Sequence, residues 1–175
     1  MCSAFFMFKL MDIQETIINK VAESGLITVD LAKYAPTQEI ISYDIKDNLF
    51  HGLILKEKDF RDFIKDHDWS QYTGKHVAIT CSTDAIVQTW AYMLLATKLE
   101  PYASTIIFGD QDELERVLYS KILNDIDMSE FADQRVVVKG CGDIKIPESA
   151  FVQFSMQLAK VAKSIMYGEP CSTVP

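Results

Sequence analysis

Residues 76–108 read HVAITCSTDAIVQTWAYMLLATKLEPYASTIIF, and how this stretch is parsed decides the fold. HVAIT has the composition of a buried strand. STDAIVQTWAYMLLATKL (82–99) places apolar residues at helical spacing, and STIIFGD (104–110) returns to a strand pattern. The same alternation continues downstream. QDELERVLYSKILND (111–125) reads as a helix, RVVVKG (135–140) as a strand, and PESAFVQFSMQLAKVAKSIMYG (147–168) as a final helix. Strands joined by helices of this length form parallel βαβ crossovers, so the expected class is α/β, a mainly parallel sheet with helices on its faces.

Upstream the pattern is less regular. IQETIINKVAES (13–24) reads as a helix stopped by Gly25. LITVDL and EIISYDI read as short strands around a turn at Pro36, and GLILKE (52–57) as another strand. KDFRDFIKDH (58–67) puts Phe60, Phe63, Ile64 and His67 on one helical face. No internal repeat, low-complexity tract or linker stands out. Residues 1–10 read as an extension before Met11, and 11–175 as a single domain.

A chain of 175 residues with 49% apolar composition can bury roughly 70% of its unfolded surface without a stabilising metal or disulfide. Its net charge of -8, with no block of Lys or Arg, argues against nucleic acid or an anionic membrane as partner. Cys2 falls in the extension. Cys81, Cys141 and Cys171 remain, an odd number at wide spacing, which points to reduced thiols in a cytoplasm and not to a disulfide framework.

Three strand exits then matter, because ligands of parallel sheets gather beyond the carboxyl ends of the strands. HVAIT runs into Cys81-Ser82-Thr83-Asp84, IIF into Gly109-Asp110, and RVVVK into Gly140-Cys141-Gly142-Asp143. In one sheet these exits share a rim. The tail GEPCS, returning from the final helix, would then bring Cys171 to it. Cys81 precedes a helix start whose first turn holds Ser82, Thr83 and Asp84, good capping residues whose exposed N–H groups favour a thiolate while Asp84 opposes it. Gly140 and Gly142 would let backbone approach a bound group closely. Each of these residues also has a plain structural explanation. Free cysteine packs in cores, aspartate caps helices and turns, and the apolar helix around Trp90 and Met93 suits packing on a sheet.

Several chemistries lack a basis. No CxxC is present, no arginine stands six positions after Cys81 or Cys141 (Val87 and Pro147 do), and neither GxGxxG nor GxxxxGK[ST] occurs. No histidine forms a Cys-His pair in the sequence.

The strings FHGLILKEKDFRDF, HDWSQYTGKHVAITCSTDAIVQTWAYMLLATKLEPYA, VVVKGCGD and SIMYGEPCSTVP resemble the bacterial domain-of-unknown-function family 2480, from about Asn19 to Pro175. The resemblance implies no assigned activity, and a setting beside sulfur-mobilisation machinery that makes iron–sulfur assembly proteins the expected partners. It matches at Cys81, Cys141 and Cys171.

Together these readings favour three thiols, Cys81, Cys141 and Cys171, holding zinc or an iron–sulfur cluster with Asp84 or Asp143 nearby and Ser82, Gly140 and Gly142 shaping the pocket. Two alternatives stand beside it. One is a thiol enzyme or sulfur acceptor using Cys81 or Cys141, with Asp84 or Asp143 moving the proton. The other is a metal-free scaffold.

Overall fold

The computed structural model describes residues 25–140 and 144–168. Six strands form in this span: β1 (Leu26–Asp30), β2 (Ile40–Asp44), β3 (His76–Thr80), β4 (Thr105–Phe108), β5 (Arg135–Lys139) and β6 (Ser164–Tyr167). Four helices accompany them: α1 (Glu57–Asp66), α2 (Thr89–Leu99), α3 (Gln111–Asn124) and α4 (Glu148–Leu158). The α/β class with parallel strands and helical crossovers is what the sequence pattern predicts. The strands divide into two three-stranded parallel sheets, ordered β2-β3-β4 and β1-β5-β6. Among the described residues no helix is long and apolar enough to cross a membrane.

Strand alternation explains the layering. Val77 and Ile79 of β3 face a core with Phe60 and Ile64 of α1 and Ala91, Leu95 and Leu99 of α2. Ala78, between them, faces the other way and meets Leu114 and Leu118 of α3. Further along α3, Tyr119 and Leu123 turn to a second core, with Val136 and Val138 of β5 and Ala150, Phe154 and Leu158 of α4. The order is therefore helix pair, sheet, helix pair, sheet, with α3 serving both sheets.

The sequence shows no obvious repeat, but the structure contains one. Two units, β2-α1-β3-α2-β4 and β1-α3-β5-α4-β6, place like residues at like positions; from α1 and α3 onward they are related by one constant chain offset, that between Val77 and Val136, whereas β1 precedes β2 in the chain. Phe60 and Ile64 correspond to Tyr119 and Leu123, and Ala91, Leu95 and Leu99 to Ala150, Phe154 and Leu158. The hydrogen bonds correspond too. Gly74 N–H donates to Tyr102 O and Asp133 N–H to Val161 O, both at 2.9 Å. Ser104 N–H donates to Lys75 O and Lys163 N–H to Gln134 O, both at 2.8 Å. Tyr92 meets Phe108, and Phe151 meets Tyr167, each ring pair crossing at 74°. Even the first strands agree: Asp30 accepts from Ala32 N–H and Asp44 from Lys46 N–H, each opening a short 3₁₀ turn.

Four local expectations change. GLILKE is no strand: Phe50 and Ile54 close a tight turn through left-handed His51 and Gly52, and Ile54 makes only an isolated bridge to Ile86. The helix expected from Ser82 begins at Thr89, because Gln88 is extended and Ala85 N–H donates to Thr83 O in a separate turn. The last helix stops at Leu158. Its apolar spacing continues into SIMY, but pairing with β5 wins and makes those residues β6. Finally, the β3 and β4 exits lie on one sheet and the β5 exit on the other, so the single rim expected for all three is split. The helix expected over 13–24 lies outside the described residues.

Candidate functional site

Each sheet has its own carboxyl edge. At the edge of β2-β3-β4, Asp44 accepts from the backbone N–H groups of Ser82 and Lys46 at 3.1 Å, and Lys46 Nζ lies 3.2 Å from its other oxygen. Partial burial pushes this carboxyl up, but the bonds from Ser82 and Lys46 outweigh it and hold it at about 2. Ser82 therefore spends its N–H on a structural carboxylate. Its neighbour Cys81 is half-buried and packs, as do Val87 and Tyr92, against the first core, and its thiol donates to Thr83 O at 3.4 Å. The helix start expected directly after Cys81 is displaced, since α2 begins at Thr89. His76 begins the strand that Cys81 follows, so it stands at the far end of β3 and is no base for this thiol. Asp84 is exposed, and Asp110 caps α3 by accepting from Glu113 N–H at 2.7 Å.

Beside Asp44, a cleft of about 290 Å³ is lined by aromatic and polar groups including Tyr43, Asn48, His67 and Tyr72. Burial pushes the Tyr43 hydroxyl up, and it donates to Asn48 Oδ1 at 2.8 Å; burial raises Tyr72 as well. Both phenols keep their protons, and Tyr43 acts there as a hydrogen-bond donor.

At the edge of β1-β5-β6, Lys139 Nζ lies 3.8 Å from Asp30. Gly140 follows. A Cβ there would lie 2.5 Å from Phe151 Cζ and 2.7 Å from Ile146 Cδ1, so the close approach this glycine permits is that of the protein's own side chains. β6 runs alongside β5 to its end, and Gly168 N–H donates to Val138 O at 3.0 Å. The tail therefore leaves from the strand next to the β5 exit, on the same edge. No turn back from a long helix is required. Sequence reasoning missed this strand, yet the signal was present: SIMYG stands as far from RVVV as TIIFG stands from HVAI.

Cys141, Gly142, Asp143 and Cys171 lie outside the described residues, as does Cys2. Among the described residues no group of three or more His, Cys, Asp or Glu side chains is placed to hold a metal ion.

The fold and its edges define a two-unit α/β protein whose parallel sheets are stacked through a shared helix. Over residues 15–175 the chain matches the family described as "Protein of unknown function (DUF2480)", and it belongs to that family. No curated protein and no solved structure matches it.

Proposed function

We propose that the protein binds a soft metal, zinc or an iron–sulfur cluster, through Cys141 and Cys171 at the carboxyl edge of β1-β5-β6. In this reading it acts as an accessory that exchanges the metal or cluster with assembly proteins. The observation that carries it is the Gly168–Val138 hydrogen bond, which fixes Gly168, the end of the described chain, beside β5. Cys141 is the residue after Gly140, and Cys171 comes three after Gly168. Neighbouring strands lie ~4.8 Å apart, and each residue extends the chain by at most ~3.5 Å, so the two thiols start from adjacent points and are within reach of one another. Thiolates are the natural ligands for zinc and iron–sulfur clusters. Asp143 supplies a third donor, and the position left open suits a ligand that arrives with a partner. Cys81 and Asp84 belong to the other sheet's edge, and the Cys81 environment is that of a packing residue.

The test is elemental analysis and an absorption spectrum of the full chain purified without oxygen, repeated after reconstitution with zinc or with iron and sulfide. Stoichiometric metal that is lost in both Cys141→Ser and Cys171→Ser, and kept in Cys81→Ser, is the expected result. A wild-type chain that takes up no metal overturns the proposal in favour of a metal-free scaffold. Equal loss in Cys81→Ser overturns the pairing.

A further inference from the structure

The opposite, amino edge of the first sheet holds a cavity of about 380 Å³. It lies under the β1–β2 connection, residues 33–38, with His76 and Thr105 at the starts of β3 and β4 and Leu118, Lys121 and Ile122 of α3 completing the wall. His76 is the only buried polar or charged residue among those described, at 7% exposure. Its backbone N–H donates to Glu39 O, but its ring Nδ1 is buried without a hydrogen-bond partner. Such an orphan costs about 1–3 kcal/mol, so something that satisfies it is expected.

The rest of the lining indicates what. Two lysines, Lys33 and Lys121, stand at the cavity, and Lys121 Nζ is 3.5 Å from Thr105 Oγ1. No carboxylate is among its described lining residues, although the chain as a whole carries a net charge of -8. Tyr34, Ala35, Pro36, Leu118 and Ile122 make the remaining wall largely apolar. At the amino edge of the second unit another pocket is lined by Arg135, Lys163 and Ser164 with Leu26 and Met166, again with no described carboxylate. Arg135 and Ser164 occupy the positions of His76 and Thr105.

We infer that the His76 cavity is a binding site for a small organic carboxylate with an apolar body, the acid group facing Lys33 and Lys121 and the His76 ring, the body lying on Leu118 and Ile122. Size agrees, since the volume is at the lower end of ligand pockets. An inorganic anion would leave the apolar wall unused, and a neutral isostere would leave the lysines unused. Burial first, and Lys121 second, depress the His76 pKa, so the empty site presents a neutral imidazole able to donate or accept at Nδ1. An anion bound beside it favours the imidazolium and moves the titration back up.

Titration of the full-length protein with benzoate, benzamide and inorganic phosphate, followed by the His76 ring signals in NMR, tests this site independently of the thiols. Benzoate is expected to move those signals saturably and to raise the His76 titration midpoint. Benzamide and phosphate are expected to bind at least tenfold more weakly. Lys33→Gln combined with Lys121→Gln changes two exposed side chains and should weaken benzoate at least tenfold while leaving the melting temperature in place. Signals unmoved by benzoate, equal binding of benzamide, tighter binding of phosphate, or full affinity in the double variant would each overturn the assignment.

Discussion

Cys81 and Gly140 occupy the same place in the two units, and they solve the same packing problem in opposite ways. In the first unit Cys81 packs against the core, as do Val87 and Tyr92. In the second, the residue is reduced to glycine while its neighbours are the larger Ile146 and the ring of Phe151, which come to where a Cβ would sit. The space of the missing side chain is taken up by Phe151 and Ile146, as close-packed interiors require. The comparison teaches that the cysteine at 81 acts as matter, and it separates this thiol from the two that follow the second sheet.

The largest effect with which to break the comparison lies in the cores. Leu95 and Phe154 are both fully buried at matching positions of α2 and α4. Truncation to alanine should cost about 2–5 kcal/mol for Leu95 and about 3–5 kcal/mol for Phe154. Because α3 contributes Leu114 and Leu118 to one sheet and Tyr119 and Leu123 to both its partner strand layer and α4, the units should not melt separately. Denaturant unfolding of either variant, followed by fluorescence and by circular dichroism, should give one coincident transition shifted to lower denaturant. Two separated transitions would show that the units are independent and that α3 is only a tether.

A smaller effect sharpens the exchange of volume itself. Gly140→Ala drives a methyl group against Phe151 and Ile146 and should cost about 1–3 kcal/mol by overpacking. Cys81→Ala leaves a void and should cost about 1 kcal/mol, with the double variant Gly140→Ala/Phe151→Leu recovering part of the first loss. Chemical unfolding midpoints check all three. A neutral Gly140→Ala would mean that the backbone moves aside at this edge and that the match with Cys81 is accidental.

Much of this organisation was legible in the sequence and some was not, for identifiable reasons. The order β3-α2-β4-α3-β5 is readable because strand and helix periods alternate, with a sharp boundary at Gly109-Asp110, where Asp110 caps α3, although the start of α2 is not. β6 was hidden because Phe151, Phe154, Leu158, Val161 and Ile165 sustain a helical spacing across a real break. The termination is made by tertiary bonds, Asp133 N–H to Val161 O and Lys163 N–H to Gln134 O, that no local pattern announces. The repeat was hidden by order and by substitution. The first strand of the second unit, β1, precedes the whole first unit, so the copies are not colinear. Shared positions keep size more than identity, as with Phe60 and Tyr119 or Tyr72 and Phe131. The division into two sheets follows from that interleaving, and with it the separation of Cys81 from the β5 exit. Asp44 and Ser82 show the same limit at the level of a single bond, made between residues distant in the chain.

The smallest effect probes the turn before the second strand of each unit. Gly74 and Asp133 sit at the same place, both left-handed, with φ of 72° and 57°. Nothing lies within 4 Å of a Cβ built on Gly74, so the difference between the two sites is one of backbone conformation and not of room. A non-glycine residue pays about 1 kcal/mol for this region, less for aspartate, which bonds locally. Glycine avoids that cost but surrenders more freedom on folding. The two terms nearly cancel, so Asp133→Gly should stabilise by no more than about 0.5 kcal/mol, and Gly74→Asp should destabilise by a similar amount, as read from unfolding midpoints at unchanged slope. Equal and opposite shifts would show that the two turns are interchangeable and that the repeat holds down to single dihedral angles. If Asp133→Gly instead costs 1 kcal/mol or more, its carboxylate has a duty in the second unit that the first unit performs without a side chain, and the symmetry ends at that turn.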